Sequence, residues 1–253
     1  MTKTIGVIGG MGPQATVDFF QKILDNTRAE RDQDHIHVII DNNPQTPDRT
    51  AFLLGKGESP LKSLVNSALK LQLMGADLLA MPCNTAHYFY DEIVKFVDIP
   101  FINMIDEVAA GIRAKNPSVK RVGLLATKGV YSMGIYSRYL QKYGIEAVIP
   151  PEEEKEVINS TIYTIKKDIS LVDPAGINEI IENMRKEGVD TIILGCTELP
   201  LIADKYPKGS DYINTTAVLA KRAVELARDS ARANEDNMGN CGCKCGRYYD
   251  KIK

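Results

Sequence analysis

The sequence predicts an α/β fold in which mainly parallel sheets are covered by helices. Short runs rich in β-branched and other aliphatic residues recur along the chain, and amphipathic stretches separate them. Such alternation needs right-handed crossover connections and therefore parallel strand pairing. The composition, with 44% hydrophobic and 25% charged residues in a chain of 253, is typical of a globular protein with a sizeable core.

The hydrophobic pattern predicts five strands and four helices. The strands are expected in the runs TIGVIG, HVIID, DLLAMP, RVGLLA and DTIILG, which begin at residues 4, 37, 77, 121 and 190. The helices are expected from Pro13 to about Arg28, from Pro60 to about Met74, from Asp173 to about Lys186 and from Thr215 to about Ala233.

An internal repeat divides the chain into two similar units. The segment GADLLAMPC at 75–83 aligns with GVDTIILGC at 188–196, an offset of 113 residues, and IGVI at 5–8 aligns with VGLL at 122–125, an offset of 117. We expect one domain to comprise residues 1–98 with about 210–233, and a second to comprise 99–209. Residues 234–253 are expected to form a flexible tail.

Two cysteines occupy equivalent places in the repeat. Cys83 and Cys196 each follow a strand and precede a helical stretch, at the carboxyl end of a parallel sheet, where open α/β folds bind ligands. Inversion of a stereocentre needs a base on one face and an acid on the other. A lone cysteine at such a place is simply a small buried hydrophobe, but equivalence within a repeat favours an acid–base pair. The dipoles of the following helices are expected to favour the thiolate form.

A glycine-rich turn follows the first strand. GMGPQA at 10–15 fits the G-x-G-x-x-[G/A] pattern of dinucleotide-binding folds. The acidic residue that such folds place about 20 positions further on would have to be Asp41, which lies 29 residues after Gly12. A dehydrogenase would also leave the repeated cysteines unexplained. We therefore expect Gly10 and Gly12 to form a tight turn, with a helix opened by Pro13 that presents backbone amides to a carboxylate.

Five ordered segments resemble the aspartate and glutamate racemase family, and most closely its aspartate racemase branch. They are GGMGPQAT at 9–16, NNPQTPDRT at 42–50, MPCNTAH at 81–87, GLLATKG at 123–129 and GCTELP at 195–200, and the likeness runs from about residue 3 to 230. The resemblance implies a racemase that needs no pyridoxal phosphate. It also implies two pseudo-symmetric, three-layer α/β domains, an active site in the interdomain cleft, and usually a homodimer.

The resemblance also implies roles for individual residues. Cys83 and Cys196 match the catalytic cysteines. The implied substrate contacts lie near the same strand ends: Gly10, Met11, Asn84, Thr85, Thr127 and Thr197. Within this set, Asn84, Thr85 and Thr197 match residues that hold the α-carboxylate and the amine, and Thr127 takes the place in the second unit that Gly10 takes in the first.

Two basic residues indicate an acidic substrate. Arg49 lies in a Pro-Asp-Arg segment after the second strand, and a guanidinium suits bidentate carboxylate recognition. In the aspartate racemases that this sequence resembles, an arginine in this motif and a lysine in a later helix-bearing loop hold the side-chain carboxylate. Lys166 matches that lysine, with Lys167 adjacent. Aspartate is therefore the expected substrate, and glutamate a second one.

Other functions stay open from the sequence. The wider superfamily includes glutamate and hydantoin racemases, maleate isomerases and arylmalonate decarboxylases, and the same cleft could bind acidic amino acids without turning them over. Glutamate racemases usually carry a histidine where this chain has Glu198. The retention of both cysteines, where decarboxylases and isomerases replace one, favours racemisation.

Charge and cysteine usage limit the partners. The net charge of −2, with both signs interspersed, does not predict binding to nucleic acid or a membrane surface. No signal peptide is visible, so a cytoplasmic protein with reduced thiols is expected. We expect no metal site: His87 is interpreted as a helix-packing residue or as a neighbour that supports and tunes the Cys83 thiol, and the C-x-C-x-C run at 241–245 is not a standard zinc pattern.

Overall fold

A computed structural model describes residues 2–238, with side chains to residue 228. The cysteine-rich run at 241–245 lies outside the described residues. The strands are β1 Ile5–Gly9, β2 Val38–Asn42, β3 Leu78–Ala80, β4 Arg121–Ala126, β5 Glu146–Val148, β6 Thr191–Gly195 and β7 Asp211–Asn214. The helices are α1 Pro13–Asn26, α2 Arg49–Leu53, α3 Leu61–Leu73, α4 Tyr90–Ile93, α5 Met104–Lys115, α6 Lys128–Ser132, α7 Ile135–Lys142, α8 Glu152–Lys167, α9 Ala175–Lys186 and α10 Thr215–Met238.

The strands form two parallel sheets, which confirms the predicted fold class. Their orders are β2-β1-β3 and β5-β4-β6-β7. The repeat extends to the pairing register: Gly6 pairs with Leu79 in the first sheet, and the residues at the repeat offsets, Gly123 and Ile192, pair in the second. The carboxyl ends of the equivalent strands therefore lie at the same level in the two sheets.

Two pairings at the sheet edges bear on the expected domain boundaries. Phe101 forms a parallel bridge with Leu79 of the first sheet, whereas β7 pairs with β6 of the second. The chain therefore leaves the first sheet after residue 98 and returns from the second after residue 210. We propose boundaries just after Phe101 and just after Asn214.

The principal hydrophobic cluster draws on both sheets. Val7 of β1, Val122 of β4 and Leu219 of α10 are fully buried in it. Full burial of an aliphatic side chain of this size stabilises the fold by roughly 1.5–3 kcal/mol relative to its exposure to water. Because α10 packs against both α1 and α5, the cluster fixes one unit against the other. The strand ends that carry the candidate site are thereby held in place.

The four expected helices are present as α1, α3, α9 and α10, and each begins within two residues of the expected start. Helix α1 begins at Pro13, where the missing proline amide costs no hydrogen bond. Across residues 2–238, none of the helices combines the length and the apolar character that a membrane crossing would need.

Candidate active site

Gly10 brings two loops of the first unit together after β1. Its φ of +89° lies in the left-handed region, and a Cβ at this position would stand 2.3 Å from the carbonyl carbon of Asn43. Only glycine therefore fits here. The Gly10 amide donates to Thr16 Oγ1 at 2.9 Å, which ties the turn to α1.

Cys196 follows β6 directly and pairs with a carboxylate. Its Sγ donates to Glu198 Oε2 at 2.9 Å. The other carboxylate oxygen, Oε1, accepts from the Gly12 amide at 3.2 Å and lies 3.8 Å from Lys166 Nζ. Only 2% of Glu198 is exposed, so this carboxylate is held inside the protein between the two units.

The expectation that a helix dipole favours the Cys196 thiolate is wrong. A 3-10 helix, Leu199–Lys205, follows Cys196, and the thiol is buried. Burial, and then the charge of Glu198, raise the pKa of the Cys196 thiol well above its usual value, although Lys166 opposes the shift. The resting form is therefore the thiol. Cys83 is likewise followed by a 3-10 helix, Thr85–Phe89.

The residues after Cys83 link the two units. Thr85 Oγ1 and Thr127 Oγ1 lie 2.9 Å apart, so the end of β3 contacts the end of β4. Asn84 Oδ1 accepts from Tyr136 OH at 2.6 Å, and Asn84 Nδ2 donates to Thr215 Oγ1 at 3.3 Å. Because both bonds fix the Asn84 amide, its orientation is set by the fold.

His87 supports the backbone of Cys83. The ring Nδ1 lies 2.8 Å from the Cys83 carbonyl oxygen, and Nε2 accepts from the Met104 amide at 3.1 Å. The ring proton is therefore on Nδ1. Burial lowers the pKa of His87 to about 4, so the ring is neutral at pH 7. Since backbone groups use both nitrogens, neither is free to accept a proton from Cys83.

Arg49 and Lys166 face one cavity of about 350 Å³, together with Gly10, Gly12 and Glu198. Arg49 begins α2, and its NH1 donates to the carbonyls of Thr46 and Pro47, both at 3.1 Å. Its Nε is buried without a protein partner. Arg49 lines the cavity, and one of its guanidinium donors therefore has no protein partner.

Lys166 lies in the last turn of α8, at the second unit's side of the cavity. Burial opposes its charge, but the nearby Glu198, Cys196 and Cys83 outweigh burial and raise the pKa of Lys166. Both cysteines therefore lie near this one ammonium group.

The structure places the remaining expected site residues close to this cavity. The carbonyl oxygen of Met11 lies 3.5 Å from Arg49 NH2, and Thr197 Oγ1 lies 3.3 Å from Glu198 Oε2. The sulfurs of Cys83 and Cys196 are buried and do not line the cavity; Cys196 reaches it through Glu198.

Three residues of the site were not expected from the sequence. Glu198 was noted only as a departure from the glutamate racemases, Asp48 had no role assigned within the segment NNPQTPDRT, and Tyr136 lay outside the five segments. Asp48 lines the cavity, caps α2 through the Ala51 amide, and accepts from Tyr163 OH at 3.1 Å. Within the described residues, no group of three or more His, Cys, Asp or Glu side chains is placed to hold a metal ion.

Comparisons with known proteins agree with this arrangement. A family model described as Asp/Glu/Hydantoin racemase matches residues 8–223. The broad specificity amino-acid racemase RacX of Bacillus subtilis is 30% identical over 224 residues, which cover 87% of this chain and 96% of RacX. The solved structure of Picrophilus torridus aspartate racemase is 35% identical with a TM-score of 0.80, and the match covers 89% of this chain and 94% of that one. An aspartate racemase homologue from Pyrococcus horikoshii is 31% identical with a TM-score of 0.72, covering 89% and 99% of the two chains. The chain therefore belongs to the Asp/Glu/hydantoin racemase family.

Proposed function

We propose that this protein interconverts L- and D-aspartate, without a cofactor, by proton transfer between Cys83 and Cys196. The observation that carries the proposal is the placement of these thiols at equivalent strand ends of the two units, both near the Lys166 ammonium that faces the cavity. Each unit supplies one thiol, and the proposed mechanism uses one sulfur on each face of a substrate bound between the units.

The chemistry needs one thiolate and one thiol. The thiolate takes the proton from the substrate Cα, and the opposite thiol gives its proton to the other face, so the two exchange protonation states in each turnover. The planar intermediate carries negative charge on its α-carboxylate. Backbone amides at the strand ends, with Asn84 and the hydroxyls of Thr85 and Thr197, are the proposed donors that stabilise it.

The charges at the cavity support an acidic substrate. Arg49 has a buried Nε without a protein partner, and a carboxylate that accepts from it would satisfy this donor. Lys166 lies across the cavity from α2 on the other unit. Together they match the side-chain carboxylate of aspartate, or of glutamate with one more methylene.

A broad range of substrates is the second candidate. Asp48 and Glu198 also line the cavity, so its two cations face two carboxylates. With this balance the cavity would also accept neutral amino acids, and the relative RacX is a broad specificity amino-acid racemase. Initial rates with aspartate, glutamate, alanine and serine separate the candidates, because an acidic-substrate enzyme should turn over the last two at least about a hundredfold more slowly.

The direct test is racemisation in deuterium oxide. We expect L-aspartate to lose optical activity while its Cα acquires deuterium, with no added cofactor and after treatment of the protein with hydroxylamine to remove carbonyl cofactors. If none of the four amino acids takes up deuterium or loses optical rotation, a binding protein is the better description.

Serine variants at each cysteine test the two-base assignment. Cys83→Ser and Cys196→Ser should each abolish racemisation while aspartate binding persists, because serine keeps the shape but is far less acidic. Tyr88→Phe, at an exposed side chain next to the Cys83 segment, serves as a control that should keep activity. A cysteine variant with full activity would remove that thiol from the mechanism.

The assembly and the compartment are also proposals. The family resemblance supports a homodimer, and the free thiols of Cys83 and Cys196 suit the reducing cytoplasm. Light scattering at several protein concentrations would test the dimer, with twice the chain mass of 28.0 kDa as the expected result.

A further inference from the structure

The two halves of the site carry different side chains two residues after the cysteine. The repeat aligns Glu198 with Thr85, at the offset of 113, and Gly12 with Gly129, at the offset of 117. The neighbours correspond too: Glu198 of the second unit accepts from the Gly12 amide of the first, and a Cβ on Gly129 of the second unit would stand 3.2 Å from Thr85 Cγ2 of the first. Only the side chain differs, a carboxylate beside Cys196 and a hydroxyl beside Cys83.

Among the side chains that the structure describes, none is placed as a comparable base for Cys83. Thr85 pairs with Thr127, and both nitrogens of His87 are taken by backbone groups. Among the described residues, the hydrogen bonds include none from the Cys83 sulfur to a carboxylate, whereas Cys196 donates to Glu198 at 2.9 Å. The two thiols therefore have different routes for losing a proton.

We propose that Glu198 is the proton acceptor of Cys196, so that the two thiols of the racemase are activated unequally. The inference rests on the proposed function. In the step, the S–H bond of Cys196 breaks and an O–H bond forms at Glu198 Oε2. The resulting thiolate takes the proton from the substrate Cα, and Cys83 supplies a proton to the opposite face.

The surroundings of Glu198 favour this transfer. The Gly12 amide and Lys166 hold Oε1, which leaves Oε2 directed at the sulfur. Moving the proton within the pair leaves its net charge unchanged, whereas ionising the buried thiol with no acceptor would create a second buried negative charge, which is costly.

Lys166 connects this transfer to substrate recognition. It lies 3.8 Å from Glu198 Oε1 and faces the cavity. A substrate carboxylate that binds Lys166 takes away part of the positive charge that stabilises the Glu198 carboxylate, and Glu198 becomes the stronger proton acceptor. An acidic substrate thus promotes formation of the Cys196 thiolate as it binds.

A half-reaction that runs one way is needed to test the two thiols separately. L- and D-aspartate have equal free energy, so kcat/KM must be the same in both directions of racemisation. Elimination from 3-chloroaspartate is irreversible: the thiolate takes the Cα proton, the Cα=Cβ bond forms, and chloride leaves from Cβ. Water then converts the enamine product to oxaloacetate and ammonium. The α-enantiomer whose elimination survives Cys83→Ser is the one served by Cys196.

The decisive variant is Glu198→Gln. We expect it to slow elimination from the enantiomer served by Cys196 by about a hundredfold or more, the scale of a lost general base, and to change the other enantiomer by less than about tenfold. Glu198→Asp, which keeps the carboxylate, should recover part of the rate. Equal losses for both enantiomers would indicate a structural role, and an unchanged rate for the Cys196 enantiomer would also overturn the proposal.

Alkylation gives a second readout that needs no turnover. Mass spectrometry can follow the reaction of iodoacetamide with Cys83 and Cys196 separately in the full chain. Glu198→Gln removes the charge that raises the pKa of the Cys196 thiol, so alkylation of Cys196 should become faster while that of Cys83 stays unchanged. If the variant also eliminated chloride faster from the enantiomer served by Cys196, Glu198 would act only as a repelling charge, and the proposal would be overturned. If wild-type protein shows no racemisation, the proposed function fails while alkylation still shows whether Glu198 acts on Cys196.

Discussion

Lowering the pH from 7 to 4 should reduce the free energy of unfolding, because the buried side chain of His87 is neutral in the folded protein. Its pKa falls from 6.5 to about 4 on burial. With about 1.4 kcal/mol for each pKa unit, this difference corresponds to about 3 kcal/mol in the free energy of unfolding. The unfolded chain binds a proton at this residue below pH 6.5, whereas the folded protein does not until about pH 4. The contribution of the neutral His87 ring to the free energy of unfolding is therefore complete above pH 6.5 and is lost as the pH falls towards 4.

The assay is urea unfolding at a series of pH values between 7 and 4. Carboxylates also titrate in this range, so the contribution of His87 is the difference in pH dependence between wild type and His87→Gln. The variant should be less stable at pH 7, because it cannot reproduce both buried hydrogen bonds, but its stability should fall less steeply with pH. Parallel curves for the two proteins would refute the assignment.

The same protonation should disturb the candidate site. A protonated Nε2 is a donor and faces the Met104 amide, which is also a donor. The bond that ties the start of α5 to the segment of Cys83 is then lost. Racemase activity should therefore fall reversibly only as the pH approaches 4, where the folded protein binds this proton, and the fall should be displaced in His87→Gln.

Three further substitutions test the Gly10 turn, the hydrogen bond between Tyr163 and Asp48, and the Arg49 guanidinium at the cavity. Gly10→Ala should lower the free energy of unfolding by about 3 kcal/mol or more, because it adds a backbone clash to left-handed strain; Gly75→Ala, with a similar φ and open space for its Cβ, should cost only about 1–2 kcal/mol. Tyr163→Phe removes the bond to Asp48 that joins α8 to α2 beside the cavity, and should raise KM for aspartate by up to about tenfold with kcat unchanged. Arg49→Lys keeps the charge but loses the fork, and should lower kcat/KM for aspartate by about a hundredfold; equal losses with alanine would place this residue outside substrate recognition.

The repeat carried most of the fold prediction. It placed two equivalent parallel units in the chain, and the register of β1 with β3 recurs in β4 with β6. The elements that were not expected have weaker local patterns. The strands β5 and β7 are three and four residues long and pair only because the rest of the sheet exists. Short strands of this kind are determined by tertiary contacts more than by propensity.

The site was predictable where a residue type repeats and not where a contact is long-range. The placement of Cys83 and Cys196 after equivalent strands follows from the repeat. Glu198 acts through contacts with Gly12 and Lys166, which lie 186 and 32 residues away in the sequence, so local spacing carries no trace of them. The thiolate expectation failed for Cys196 because burial and a neighbouring carboxylate outweigh the dipole of a short 3-10 helix.

A racemase does not need two equivalent bases, even though its reaction is symmetric. The equilibrium constant for racemisation equals one because the enantiomers have equal free energy. It requires equal kcat/KM values in the two directions, but it does not fix the protonation state of the free enzyme. Here burial and Glu198 keep Cys196 as the thiol at rest, and thus as the acid. In the proposed mechanism, the resting protein is then prepared for the enantiomer whose Cα proton faces Cys83. The other enantiomer requires that Glu198 first take the proton of Cys196, and that extra step can make the two kcat values differ. On this proposal, duplication of an α/β unit supplies one thiol for each face, and the difference between glutamate and threonine two residues after the cysteine decides which thiol starts as the acid.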